Sequence, residues 1–163
     1  MVNIRYVDGI MKRVRIITSL IIIISVSLLI SACSPEANGP FNAESSLARL
    51  LNEVQYEAVL ADASDYAEYA FAGMPEGVEI KMYSCGGGHA DAVIMCKASE
   101  ASELPAIRDA LKEYIASRRH DAERYDPKEV AKYDNAVWCE RGLYVIVCIT
   151  GDTETAEAIL SGS

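Results

Sequence analysis

Residues 135–150 read Asn-Ala-Val-Trp-Cys-Glu-Arg-Gly-Leu-Tyr-Val-Ile-Val-Cys-Ile-Thr, two apolar runs broken by Arg141-Gly142. Runs rich in β-branched and aromatic residues on either side of a glycine predict a hairpin, with strands over 135–140 and 143–150. The second run is nearly continuous apolar sequence, so it predicts a central strand covered on both faces. Placing Arg141-Gly142 at the tip sets Glu140 opposite Leu143, Cys139 opposite Tyr144, Trp138 opposite Val145 and Cys148 opposite Asn135.

Working upstream, Val78, Ile80 and Met82 alternate with Glu79, Lys81 and Tyr83, and 93–98 follows as a second strand. Gly86-Gly87-Gly88 lies between them and reads as a turn, because a phosphate loop needs a following helix N-terminus and a strand follows here. Ser102 is a plausible cap for a long helix with Pro105 in its first turn. On that helix Leu104, Ile107, Leu111, Tyr114 and Ile115 form an apolar stripe, while Asp109, Glu113 and His120 fall opposite. Continuing the stripe reaches Arg118, whose stem is expected along apolar surface with its head in water.

Tyr125-Asp126-Pro127 ends that helix, and a short helical turn through Lys132 leads into the hairpin. After the hairpin, Asp152 or Thr153 caps a last helix that buries Ala156, Ile159 and Leu160. Before the strands, Leu47, Leu50, Leu51 and Val54 mark a helix over 44–54, and 64–72 a second one stopped by Gly73 and Pro75. The fold class is therefore α+β: N-terminal helices followed by ββαββα, with an antiparallel sheet of about four strands and helices packed on one face.

The first forty residues carry a different signal. The stretch 16–32 (IITSLIIIISVSLLISA) is almost wholly apolar, follows Lys12, Arg13 and Arg15, and ends on small residues before a cysteine. That is the anatomy of an export signal. Ile30-Ser31-Ala32-Cys33 resembles the lipobox of bacterial lipoproteins, which implies cleavage before Cys33 and lipidation of that cysteine. An uncleaved helical anchor is the alternative. Asp8 is unusual in a signal n-region, so Met11 is a candidate start. The expected partition is 1–32 signal peptide, 33–43 lipidated cysteine and flexible tether, and 44–163 a single extracytoplasmic domain on the cell membrane.

Removing residues 1–32 takes away four basic residues and one acidic, leaving 11 basic against 23 acidic and a net charge of −12. Such a domain is repelled by phosphate backbones and anionic head groups, which disfavours nucleic acid as a partner and allows cationic ones.

Three segments carry a resemblance to a family: 91–97 (DAVIMCK), 133–137 (YDNAV) and 141–147 (RGLYVIV). Together with the lipobox they resemble the small Gram-positive lipoproteins catalogued as domain of unknown function 4358, over roughly residues 47–160. The resemblance implies a lipid-anchored extracytoplasmic domain and brings no assigned activity, ligand or catalytic residue. The chain departs from the family in having Cys96, Cys139 and Cys148 where other residues, often aliphatic, are expected.

Those three cysteines suit strand interiors as small hydrophobes, whereas export of four cysteines, Cys85 included, keeps a disulfide open. Cys85, His89 and Asp91 cluster around the glycine turn as candidate metal ligands or a thiol beside a base, at a spacing that matches no zinc motif. No cofactor is expected. His120-Asp121, among Arg118, Arg119 and Arg124, reads as a solvated helix end, with attraction of an anion as the alternative, and Trp138 as packing on Val145, with exposure toward a partner as the alternative. The leading expectation is a non-catalytic binding or assembly module of the cell envelope with an envelope protein as partner. The alternatives are a capture protein for a small ligand or cationic peptide, which needs an acidic concave pocket, and a metal- or thiol-dependent enzyme built on Cys85 and His89.

Overall fold

The computed structural model describes residues 41–162 apart from Gly87. The signal segment, the lipobox residues Ile30, Ser31 and Ala32, and Cys33 lie outside the described residues. The first described residues are already committed to the domain. Phe41 lies under the Arg141 guanidinium, 5.2 Å from its ring centre, and Asn42 caps α1 (Ala43–Glu53) by accepting the Ser45 N–H at 3.0 Å.

The chain then forms β1 (Ala61–Asp62), α2 (Ser64–Ala70), β2 (Glu79–Ser84), β3 (Ala92–Lys97), α3 (Leu104–Tyr125), α4 (Val130–Asp134), β4 (Val137–Arg141), β5 (Tyr144–Ile149) and α5 (Thr153–Ser161). The five strands make one sheet in the order β1-β2-β3-β5-β4. Every neighbouring pair is antiparallel. The α+β class and the antiparallel sheet follow the sequence reading. The two-residue edge strand β1 is additional.

Helices cover both faces of the sheet, where the sequence reading placed them on one. Ile94, Cys96, Val145, Val147 and Ile149 pack toward α2 and α3, against Phe71, Ile107, Leu111 and Ile115. Val93, Met95, Ile146 and Cys148 point the other way, against Leu47 and Leu50 of α1 and Ile159 and Leu160 of α5. The reason lies in the strands themselves. The run from Ala92 to Cys96 and the run from Val145 to Ile149 are buried at every position, and successive side chains alternate faces. Cover on one side alone would leave half of each run in water, at roughly 1.5–3 kcal/mol per large aliphatic side chain.

The β4–β5 register also differs, by two residues. Arg141 pairs with Tyr144 and Cys139 with Ile146, so the two-residue turn is Gly142-Leu143. Gly142 has φ +60° while Leu143 keeps a negative φ, the combination of a turn with glycine at its first central position. Trp138 therefore faces Val147 rather than Val145, and β4 is an edge strand. Its ring stays 37% exposed instead of packing in the core. At α3, Ser102 does not cap. A reciprocal capping box between Glu100 and Glu103 closes the 3₁₀ turn (Ala101–Glu103) that leads into α3, and the Ser102 hydroxyl donates to Glu100 at 2.7 Å. Asp152 does cap α5, accepting the Thr155 N–H at 3.4 Å.

Cys85, Cys96, Cys139 and Cys148 are free thiols. Cys96 sits in the α3-facing core, Cys139 and Cys148 in the opposite one. Burial pushes Cys96 up to about 12 and Cys148 up to about 11. Both are inert core fillers at neutral pH.

If both layers belong to one cooperative fold, Leu50→Ala and Leu111→Ala, each at a fully buried side chain on opposite faces, destabilise by about 2–5 kcal/mol in urea unfolding. A near-neutral Leu50→Ala would show that the α1 face is dispensable.

Candidate functional site

Where β3 begins and β5 ends, three connections converge: the loop after α1, the β2–β3 connection, and the turn entering α4. Asp91 stands at their centre, 1% exposed. Its Oδ2 accepts the Glu57 N–H at 3.0 Å, and its carbonyl accepts the Cys85 N–H at 3.2 Å and the Cys85 thiol at 3.3 Å. A second aspartate pins the same loop, because Asp152 Oδ2 accepts the Gln55 N–H at 3.1 Å. The Thr150 hydroxyl adds a third tie by donating to the Gln55 carbonyl at 3.2 Å.

The α4 segment supplies the counter-charge. Asp126-Pro127 stops α3, and a turn of 3₁₀ helix (Pro127–Glu129) leads into α4. Glu129 and Lys132 thus fall three residues apart on one face and turn inward together. Lys132 Nζ lies 3.2 Å from Asp91 Oδ1, 3.1 Å from Glu129 Oε2 and 3.2 Å from Glu57 Oε1. Burial of the Lys132 ammonium pulls its pKa down, but its bonds to Glu129, Glu57 and Asp91 outweigh that and hold it above the ordinary lysine value. The Glu57 carboxyl, bonded to Lys132, is held below its ordinary value. Glu129 Oε2 also accepts the Ala90 N–H at 2.7 Å, so the cluster ties α4 to the β2–β3 connection.

Two clefts open beside this cluster. One, about 490 Å³, is lined by Gln55, Tyr56, Glu57, Asp91, Asp152 and Thr155. Three of those six side chains are carboxylates. The other, about 170 Å³, is walled by Tyr66, Cys85, His89, Tyr114, Arg118 and Tyr133.

Of the residues singled out from sequence, Asp91 organises the cluster, and His89 joins it with Nδ1 3.3 Å from Glu57 Oε2. Cys85 is placed differently: its thiol bonds the Asp91 carbonyl, and burial followed by the Asp91 charge raises its pKa. Such a thiol is held protonated, the reverse of an activated nucleophile. Glu57, Glu129 and Lys132 were not foreseen. A Glu-x-x-Lys spacing in a short polar helix is ordinarily a solvated pair, and only the fold buries it. At the charged end of α3, Arg118 pairs with Asp121 at 3.5 Å and His120 with Glu123 at 3.3 Å, while Arg119 pairs both with Glu123 and with Asp134 of α4.

Residues 76–150 match the family model described as Domain of unknown function (DUF4358). The matched span holds β2 to β5, α3, α4, and the site residues Cys85, His89, Asp91, Glu129 and Lys132. It is narrower than the 47–160 expected from sequence, leaving α1, α5, Glu57 and Asp152 outside. No curated protein and no solved structure matches the chain. Among the described residues, no helix is long and apolar enough to cross a membrane.

Removing Lys132 leaves buried carboxylates without a partner, and Lys132→Met is expected to destabilise by about 3–5 kcal/mol at neutral pH. Glu57 is depressed and Lys132 raised in the folded state. Their pairing therefore contributes fully between about pH 5 and pH 10. It is lost as pH falls through the depressed Glu57 value or rises through the raised Lys132 value. Urea unfolding of both proteins across pH should show the difference widest in that window and shrinking on acidification. A loss under about 0.5 kcal/mol at neutral pH would contradict the burial of Lys132 against Asp91 and Glu129.

Proposed function

Residues 76–150 belong to the DUF4358 family, and from that premise we propose that the chain is a lipid-anchored binding module of the cell envelope that captures a cationic ligand. The lipid is attached at Cys33, after the apolar run and the lipobox Ile30-Ser31-Ala32. Residues 34–40 can span at most about 25 Å, so the domain works close to the outer surface of the cytoplasmic membrane. The observation that carries the ligand class is the 490 Å³ cleft lined by Glu57, Asp91 and Asp152. Lys132 offsets one of those charges, and the rest favour a cation in a concave, partly desolvated setting.

The module works by binding rather than turnover. Cys85, the one partly exposed thiol among the described residues, is kept protonated by burial and by Asp91, which supports a role in holding the loop instead of attacking a substrate. Asp152 is pushed below its ordinary value by the Gln55 amide and then by the Thr155 hydroxyl, so it stays charged throughout the physiological range.

Two measurements test this reading. In cells, Cys33→Ser is expected to lose incorporated palmitate and to leave the lipid-anchored membrane fraction, whereas unlabelled wild-type protein retained in the membrane would favour an uncleaved anchor. In calorimetry at low salt, hexalysine is expected to bind the full chain, weakened by added salt and, by up to about fivefold each, by Glu57→Gln and Asp152→Asn. Equal binding of hexaglutamate, or none of hexalysine, would refute the cationic ligand.

A further inference from the structure

We infer that Glu57, His89 and Glu129 form a binding site for a divalent transition-metal cation of the zinc class. One oxygen from each glutamate and one ring nitrogen of His89 lie within 4.8 Å of one another. The second observation is an orphaned carboxylate oxygen. Glu129 is 1% exposed, and its Oε2 is committed to Lys132 and to the Ala90 N–H, while its buried Oε1 has no hydrogen-bond partner. Lys128 Nζ makes a long ion pair with that oxygen at 4.0 Å, beyond hydrogen-bond reach. A carboxylate oxygen sealed from water without a hydrogen bond is costly, and a cation at that position removes the penalty. His89 Nδ1 is likewise buried and unbonded, facing Glu57 Oε2 at 3.3 Å.

The charge balance points the same way. Glu57, Asp91 and Glu129 are faced closely by Lys132 and more distantly by Lys128, which leaves an excess of negative charge beside the His89 imidazole that a cation offsets. Lys132 and the metal need not compete, because Lys132 uses Glu129 Oε2 and Glu57 Oε1, leaving Glu129 Oε1 and Glu57 Oε2. One imidazole and two carboxylates suit zinc or a neighbouring transition metal, whereas calcium takes six or more oxygens and magnesium keeps an octahedral water shell. Ligand atoms around a tetrahedral zinc with bonds of about 2.0–2.1 Å stand roughly 3.3 Å apart, so binding draws any pair of donors together by at most about 1.5 Å. Glu57 is half exposed and His89 sits in the β2–β3 connection, so both have room to move. Three protein donors leave the fourth coordination position for water or a bound molecule.

The metal site shares Glu57 with the cationic cleft, but His89 and Glu129 do not line that cleft and Asp152 is not a metal ligand. The test titrates the chelator-treated full chain with Zn²⁺ by calorimetry and with Co²⁺ by visible absorption. One equivalent is expected to bind, with affinity lowered at least tenfold by His89→Ala and by Glu129→Gln, and with Cys85→Ala unchanged. Circular dichroism confirms folding of each variant, and His89→Ala, at a partly exposed position, carries the test should Glu129→Gln fail to fold. His89→Ala is also expected to keep its affinity for hexalysine, which separates failure of the metal site from failure of the cleft. Absence of Zn²⁺ binding, binding indifferent to His89→Ala, or binding abolished by Cys85→Ala would overturn the assignment.

Discussion

A single ammonium group, Lys132 Nζ, stands among three carboxylates from three separate parts of the chain, and the architecture of this end of the domain depends on it. Asp91 and Glu129 are both about 1% exposed. Charges that deeply placed are tolerated only when paired and hydrogen-bonded, because desolvation of an isolated carboxylate exceeds the stability of a typical domain. Lys132 therefore fixes where α4 lies, and through Glu129 Oε2 and the Ala90 N–H it fixes the β2–β3 connection as well. Asp91 passes the constraint on to the loop after α1. Burial of this kind is weak evidence of stability but good evidence of a placed site, since a well-packed apolar cluster would serve the fold alone.

The sheet supplies the rigid frame on which that arrangement is built. β3 and β5 are buried on both faces, so α2 and α3 on one side and α1 and α5 on the other are each required to keep them dry. The site sits at the edge of both layers. Gln55 and Glu57 follow α1, Asp152 begins α5, and Glu129 and Lys132 follow α3. Cleft and cluster thus draw on elements of both cores, and Asp91 at the start of a central strand joins them. The DUF4358 match covers β2 to β5 with α3 and α4 and stops before α5, so part of the cleft wall lies outside the matched span.

Much of the fold was legible because it follows from periodicity. The buried stripe Ile107, Leu111 and Ile115 announced α3, and the alternation at Ile80 and Met82 announced β2. Cover on both faces was legible in the continuous run from Val145 to Ile149, yet the overall reading placed helices on one side, because nothing local says which helix goes to which face. The hairpin register slipped by two residues because Arg141-Gly142 and Gly142-Leu143 are both acceptable turns, and only the positive φ of Gly142 at the first central position separates them. That slip also misplaced Trp138.

The site was legible only in part, for a physical reason. Asp91 and His89 could be singled out because they border a glycine turn. Glu57, Glu129 and Lys132 look like solvated surface charges in sequence, and what makes them a cluster is burial across separations of more than thirty residues in the chain. Local pattern carries no information about such a contact.

The central claim is that Lys132 is buried and held charged by Asp91, Glu129 and Glu57. It is tested most directly by following the Lys132 side-chain carbon shift in the intact chain by nuclear magnetic resonance as pH rises. The account predicts that Lys132 stays protonated beyond about pH 10.4, the ordinary lysine value, after exposed lysines have titrated. Titration at or below that value, together with the other lysines, would contradict it.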